Sequence, residues 1–543
     1  ERAVGLTANL YAVRSGRNWG VGDIGDVRAL SDWAAQIGAA FIGVNPLHAL
    51  RNKGRGISPY GPVSRLFRNV IYLDVEAAPE YAESHEARAA LERVRPRIAE
   101  LRNATHIDYE KVMSAKRPVL EALHRAFVER HRDRDTPRGR EYAAYLEAQG
   151  EPLDAFATWC VLDEKEEGRP WTKWPAGLRD PKGAAVRSFR ERERERVDFH
   201  RWLQFELDRQ LGEAQHHAKS LGLPIGIYQD LAIGAAADGS DTWMNRGLFL
   251  DSVAIGAPPD PYAIEGQNWG LPPINPHRLA ADGYGYWIAL VRAALRHGGA
   301  LRIDHVLGLF RQYWIPEGMR GADGAYVRFP ANDLLGILAL ESLRANALVV
   351  GEDLGTVPPE VPPALDRWGM LSSKVLYFEM DGKHGRFKPP ESYPRLALTT
   401  ANTHDMPSIA AFWREHDIDL RAKVGAIPTK RAVAKARKER AFAREALAVT
   451  LVDEGLWPAS DEPKPDATLR GAVHALLRRT PSWLVGLSLD DLAGEVEPVN
   501  LPGVPPDRWP SWTRRMAMSL EELTVSADVQ RALGVERRWI PQR

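Results

Sequence analysis

Three short apolar runs each end on a carboxylate. Leu301-Arg302-Ile303 is followed by Asp304-His305, and Ala347-Leu348-Val349-Val350 by Gly351-Glu352-Asp353-Leu354-Gly355. Residues 396–400 lead into Asn402-Thr403-His404-Asp405. If these runs are strands of one parallel barrel, Asp304, Glu352 and Asp405 converge on one mouth, because catalytic groups collect at the C-terminal ends of such strands. Two carboxyl groups about 5–5.5 Å apart can cleave a glycosidic bond with retention, one attacking the anomeric carbon and the other protonating the leaving oxygen. Arg302 precedes Asp304 by two residues, so both point the same way along the strand. A guanidinium there favours the ionised carboxylate that a nucleophile requires. Glu352 stands behind four apolar residues and a glycine; a desolvated Glu near other carboxylates has a raised pKa and can act as the acid. His404 and Asp405 are suited to hydrogen-bonding the hydroxyls of a distorted sugar ring. A lone carboxylate at a strand end is more often a helix cap or half of an ion pair, and Arg302–Asp304 alone reads equally well that way. Three coordinated occurrences, two with an adjacent His, favour chemistry.

The elements that must position these groups are eight apolar segments, at 4–10, 40–44, 224–228, 301–303, 347–350, 374–378, 396–400 and 483–489. Most are apolar throughout rather than alternating, as expected of parallel strands buried on both faces. Helical stretches intervene, one of them at 286–296 ended by Gly298-Gly299. The pattern predicts an α/β chain folded as a (β/α)8 TIM barrel over residues 1–543, with a doubly wound open sheet as the competing arrangement. Two stretches break the barrel rhythm and read as mainly helical insertions in barrel loops, 81–217 and 411–480. In the first, Phe199, Leu203, Leu207 and Leu211 mark one buried stripe; in the second, Phe442, Ala446 and Val449 share a helical face. The charge run from Arg190 to Arg196 reads as a solvated helix face with i,i+4 pairs and no function.

Composition narrows the partners. Of 543 residues, 72 are Lys or Arg and 72 are Asp or Glu, so no basic excess points to nucleic acid. No apolar run approaches the roughly 20 residues of a membrane span, and no signal-peptide core opens the chain. Cys160 is the one cysteine, which rules out a disulfide within the chain; it reads as a structural thiol on the buried side of a helix, and a cytoplasmic location follows as the expectation. The 17 Trp are many for this length. Most are expected in the core, though a Trp face also matches the C–H face of a pyranose.

The three carboxylate segments resemble the signature segments of amylomaltases, the 4-α-glucanotransferases or disproportionating enzymes within the wider α-amylase clan. More segments agree in order: Asn45-Pro46-Leu47, Ser58-Pro59-Tyr60, Gln229-Asp230, Gly266-Gln267-Asn268-Trp269-Gly270 in a Pro-rich loop, and Asn500-Leu501-Pro502-Gly503. The resemblance runs from near residue 5 to near 515. It implies a retaining transfer of an α-1,4-glucan segment to the 4-hydroxyl of an acceptor through a covalent glycosyl-enzyme. Maltooligosaccharides and other α-1,4-glucans would be donors and glucose an acceptor. Asp304 would be nucleophile, Glu352 acid/base and Asp405 transition-state stabiliser, assisted by Arg302 and His404. Ser58, Tyr60, Asp230, Gln267, Trp269 and Asn500 would line the subsites. Two positions depart from the pattern: Ser511-Trp512 stands where many members have Asn-Trp, and Gly61 follows Tyr60 where some have Gln. The 81–217 insertion resembles a larger bacterial subgroup whose members often carry an extra N-terminal domain, and the start at Glu1, without Met, leads to the expectation of a preceding segment.

Other signals carry less. Gly20-Val21-Gly22-Asp23-Ile24-Gly25 matches G-x-G-x-x-G, but it does not directly follow a strand and no acid ends the next one, so a dinucleotide site is not expected. Asp238-Gly239-Ser240-Asp241 lacks the remaining ligands of a calcium loop, and no His/Cys spacing suits zinc. No cofactor or metal is expected. Three readings stay open: glucanotransferase, α-glucan hydrolase with the same site, and a non-catalytic glycan-binding barrel, against which the three carboxylates argue. The segment from 257 to 273 is expected to lid the cleft, with its prolines stiffening the chain and Tyr262 and Trp269 offering flat faces.

Overall fold

The computed structural model describes residues 2–54, 56–259, 265–381 and 385–534. Eight parallel strands close into a barrel: β1 Ala3–Ala8, β2 Phe41–Val44, β3 Gly226–Leu231, β4 Ala300–Ile303, β5 Leu348–Gly351, β6 Leu371–Val375, β7 Ala397–Thr400 and β8 Leu484–Ser488. Each pairs with its neighbours in chain order, and β8 closes on β1 through Ala3 opposite Leu484 to Thr7 opposite Ser488. This is the (β/α)8 barrel read from the sequence; the open sheet is excluded. Phe41, Tyr228, Ala300, Val350, Leu371, Leu398 and Leu484 are buried together as part of one apolar cluster drawn from most of the strands. Small residues make room for large ones: a Cβ on Gly5 would stand 2.4 Å from the Phe41 ring, so only glycine lets that ring fill the space beside β1.

Two strands sit differently from the sequence reading. β3 continues through Gln229 and Asp230 to Leu231, because the polar Asp230 is opposite Arg302 of β4 and pairs with it. β6 begins at Leu371 and ends at Val375, and residues 376–378 turn as a short 3-10 helix. The serines at 372 and 373 look like breakers, yet the Ser373 N–H finds a buried acceptor in Asp353 at 2.8 Å.

Between β2 and β3 the chain is mainly helical, with helices His85–Asn103, Tyr109–Arg130, Pro137–Lys165 and Arg194–Ser220. Phe199, Leu203, Leu207 and Leu211 are all buried, as their spacing required. The charged run before them is mostly solvent-exposed, as expected, but its pairing differs from the i,i+4 reading. Arg190 pairs with Glu151 at 2.9 Å and Arg196 with Glu121 and Glu164 at 2.7 and 2.8 Å, so these are ties between helices rather than pairs along one face. Cys160 is half-buried, packed against the core. Between β7 and β8 lie helices Ile409–Arg414, His416–Lys423, Lys430–Asp453 and Ala467–Arg479. Here the buried face of the long helix is Ala446, Leu447, Thr450 and Leu451; Phe442 is exposed.

The segment after β3 is not a loop stiffened by prolines. Val253–Ala257 and Gln267–Leu271 pair antiparallel, and Arg311–Pro316 and Ala325–Arg328, which follow β4, extend them to a four-stranded sheet beside the mouth. Its stiffness comes from ladder hydrogen bonds. Asp260, Pro261 and Tyr262 of the expected lid lie outside the described residues. The glycine-rich motif at 20–25 serves a helix start: the Asp23 carboxylate accepts the N–H groups of Gly25 and Asp26 and caps helix Ile24–Gln36. Asp241 is buried, accepting from Ser64, Tyr286 and the Arg65 N–H. Among the described residues, no helix is long and apolar enough to cross a membrane.

Candidate active site

Arg302 is the centre of the mouth. It leaves the end of β4 and its guanidinium reaches three carboxyl groups on three consecutive strands. Nη1 donates to both oxygens of Asp230 at 2.8 Å, Nη2 meets Asp304 at 3.0 Å, and the same Nη2 stands 3.9 Å from Glu352. The pairing of Arg302 with Asp304 was visible in the sequence; that with Asp230 depends on strand register. Burial disfavours the guanidinium's charge, but the surrounding acids outweigh it and hold Arg302 well above its ordinary pKa. Oxygens 3.0 and 3.9 Å from one nitrogen cannot be far from each other. That bound admits the roughly 5–5.5 Å of a retaining pair and only the lower edge of the roughly 6.5–9.5 Å range of inverting pairs.

The chain holds Glu352 by its backbone as well as its side chain. A Cβ on Gly351 would stand 2.9 Å from Val306, so glycine allows Val306 to approach β5 and donate its N–H to the Glu352 carbonyl at 2.9 Å. His305 sits in the left-handed region at φ 48°, a conformation that costs a non-glycine residue about 1–2 kcal/mol. That turn aims its N–H at Glu352 Oε2 at 2.9 Å, while Leu354 N–H donates to Oε1 at 2.9 Å. Burial nevertheless pushes the Glu352 carboxyl up to about 7; Arg302 opposes the rise and the charge of Asp304 adds to it. At neutral pH Glu352 is thus divided between acid and base forms.

Opposite lies a ring cluster. Tyr60 donates its hydroxyl proton to Asp230 at 2.8 Å and stacks on His404 with centroids 4.6 Å apart. Because that proton is committed, His404 Nδ1, 3.2 Å from the hydroxyl, must be the donor there. His404 Nε2 faces Asp405 at 3.4 Å, so both ring nitrogens carry protons when these contacts form. Burial lowers the imidazole pKa, but Asp405 outweighs it and the net shift is upward. Desolvation raises Asp405, and His404 and Asn500 together reverse the shift, holding it below the usual carboxylate value. Asn500 donates to Asp405 at 2.6 Å at the open rim.

Tyr60, Asp230, Arg302, Glu352 and His404 line one solvent-open cleft. Asp304 and His305 line a second, smaller pocket, and Arg302 of the cleft reaches Asp304 at 3.0 Å. Asp405 and Asn500 stand together at the rim beside His404. The Ser58 hydroxyl accepts the Tyr60 N–H at 3.3 Å within the turn that presents Tyr60. Trp269 is half-buried on the hairpin, edge-on to His305 at 5.4 Å, and donates its indole N–H to Gln267 at 3.1 Å. Sequence reasoning missed the turn at His305 as a tether for Glu352, although a His directly after the Asp was visible. It also gave no role to Trp512, whose ring is 5.7 Å from Tyr60 and 5.6 Å from His404.

A family model described as 4-alpha-glucanotransferase matches residues 8–520. A protein of Mycobacterium tuberculosis (strain ATCC 25618 / H37Rv) named 4-alpha-glucanotransferase is 40% identical over 527 residues, covering 94% of this chain and 71% of the relative. One of Haemophilus influenzae with the same name is 35% identical over 541 residues, covering 96% and 76%. Among solved structures, the amylomaltase from Corynebacterium glutamicum superposes with a TM-score of 0.88 at 33% identity, over 98% of this chain and 75% of that one. The amylomaltase from Streptococcus agalactiae in complex with acarbose shares the fold, with a TM-score of 0.76 at 19% identity over 98% of each chain.

Proposed function

The chain belongs to the 4-alpha-glucanotransferase family, its reaction is the transfer of an α-1,4-glucan segment to an acceptor, and we propose that Asp304 and Glu352 perform it by double displacement. Asp304 attacks the anomeric carbon of the donor as Glu352 gives its proton to the departing glycosidic oxygen; the first bond forms as the second breaks, and the shortened glucan leaves. Esterified, Asp304 no longer carries the charge that helps raise Glu352, so Glu352 moves toward its base form. It then takes the proton of the acceptor's 4-hydroxyl, whose oxygen displaces Asp304 and restores the α linkage. The observation that carries this reading is the single guanidinium nitrogen within reach of both carboxyl groups, one an ion-pair partner at 3.0 Å and the other pushed up to about 7.

The remaining residues divide the binding. Asp230 and Tyr60 bound the donor sugar together with Asp405, which His404 and Asn500 hold ionised toward the ring hydroxyls. Gln267 and Trp269 flank the cleft from the hairpin. Transfer beats hydrolysis if an acceptor sugar is oriented while water is excluded; orientation supplies effective molarities far above the roughly 55 M of water. Maltooligosaccharides serve as donors and glucose as an acceptor. One cysteine in 543 residues fits a reducing compartment such as the cytoplasm. Residues 81–217 and 411–480 are insertion subdomains of the single barrel. Incubation with maltotriose tests the reading: transfer yields glucose and longer oligomers, whereas shorter products alone would mean hydrolysis and an unchanged substrate a binding protein.

A further inference from the structure

Trp512 is one of the few non-glycine residues in the left-handed region, at φ 68°. A bulky residue there is an outlier that persists only when its surroundings impose it, and such residues cluster at functional sites. Three contacts impose it. The Trp512 N–H donates to the Val499 carbonyl at 2.7 Å. Its own carbonyl accepts the hydroxyl of Tyr109 at 2.6 Å, and Tyr109 is the first residue of helix Tyr109–Arg130 in the helical segment between β2 and β3. Next to it, residues 105–107 run antiparallel to 513–515: Ile107 N–H meets the Thr513 carbonyl at 2.7 Å, Arg515 N–H meets the Thr105 carbonyl at 3.0 Å, and His106 bridges Arg514. The turn at 512 is thus clamped to the helical insertion on one side.

On the other side the indole ring meets the catalytic mouth. It is tilted against both Tyr60 and His404, 5.7 and 5.6 Å away, and edge-on to Tyr11 at 6.4 Å. Tyr60 and His404 are stacked on each other, so Trp512 is a third ring bracing a two-ring plate. That plate carries the hydroxyl on Asp230 and the imidazole on Asp405. Rings in such contact attract each other beyond what area burial supplies, and a plate held by packing loses its alignment when one ring is removed.

We infer that Trp512 is a positioning residue, and that the helical insertion, through Tyr109, holds its ring in the strained turn that aligns Tyr60 and His404 on the donor sugar. The insertion then contributes to turnover without touching substrate. The inference rests on the reading that Tyr60 bounds the donor sugar and that His404 holds Asp405 toward it.

The test compares kcat and KM on maltotriose, with thermal midpoints, for Trp512→Phe, Trp512→Ala, Trp512→Gly, Tyr109→Phe and His404→Ala. Trp512→Ala and Trp512→Gly should each lose on the order of 10²-fold in kcat, the loss expected of a misplaced site group, whereas Trp512→Phe keeps most of it. Glycine relieves the backbone at φ 68°. It should therefore unfold at a higher temperature than the alanine variant while being equally slow, which a merely structural role would not produce. Tyr109→Phe removes one hydroxyl far from substrate and should cost about threefold to tenfold in kcat, with KM nearly unchanged. Wild-type kcat in Trp512→Ala or in Tyr109→Phe, with His404→Ala impaired, overturns the inference alone. Wild-type kcat in His404→Ala overturns the reading beneath it.

Discussion

Glu352→Gln removes the titrating proton while keeping the shape of the side chain, at the cost of one of the two acceptors that meet the N–H groups of His305 and Leu354. The carboxyl stands at about 7. Donor cleavage needs the protonated form, so its rate on an ordinary glucan should fall as pH rises through 7, by about tenfold per unit above it. Acceptor attack needs the deprotonated form and should fall on the acid side, so overall transfer has a maximum near neutrality. A general acid contributes about 10²–10⁴-fold, and the variant should lose that much on maltotriose. With a glucosyl fluoride, whose leaving group needs no proton, formation of the glycosyl-enzyme should recover to within about tenfold of the parent and lose its alkaline limb. The assay is a stopped-time measurement of donor consumption on both substrates from pH 5 to pH 9. An equal loss on both donors, or an alkaline limb near 7 that survives in the variant, would refute the assignment.

Other outcomes follow from the same geometry. Asp304→Asn should abolish transfer while glucan binding, measured by calorimetry, persists; substantial turnover would remove Asp304 from the nucleophile's role. Arg302→Lys replaces a planar fork that spans Asp230 and Asp304 by one point charge, and kcat should fall by at least about 10²-fold; near-normal kcat would mean that the central guanidinium is dispensable. Trp269→Ala should lower transfer much more than hydrolysis, since water needs no platform, and an unchanged product ratio from maltotriose would contradict the role given to the hairpin.

The barrel was legible because most of its strands carry short apolar runs, and burial on both faces erases the alternation that would suggest another sheet. Its errors are local. The apolar run of the third strand stops at Tyr228, yet Gln229 and Asp230 belong to the strand: the charge of Asp230 is met by Arg302 one strand away. The hairpin carrying Gln267 and Trp269 read as a Pro-rich loop because one of its partners, Arg311–Pro316, lies beyond the fourth barrel strand. The candidate site was legible wherever one segment contains it, as in Arg302 with Asp304 or His404 with Asp405. It was not legible where distant segments meet. Nothing near Trp512 signals that its ring lies beside Tyr60. Such contacts are consequences of closure, which brings the ends of eight strands together irrespective of their distance along the chain.

The central claim is a covalent bond between the glucan and one particular carboxylate. A donor bearing a 2-deoxy-2-fluoro or 5-fluoro sugar slows both steps, the second more when the leaving group is activated, so the glycosyl-enzyme accumulates. Proteolysis and mass spectrometry of the trapped enzyme then locate the sugar. The account predicts a single ester on Asp304 and no ester in Asp304→Asn. An ester on Glu352 or Asp405, or turnover with inversion and no trapped species, would contradict it.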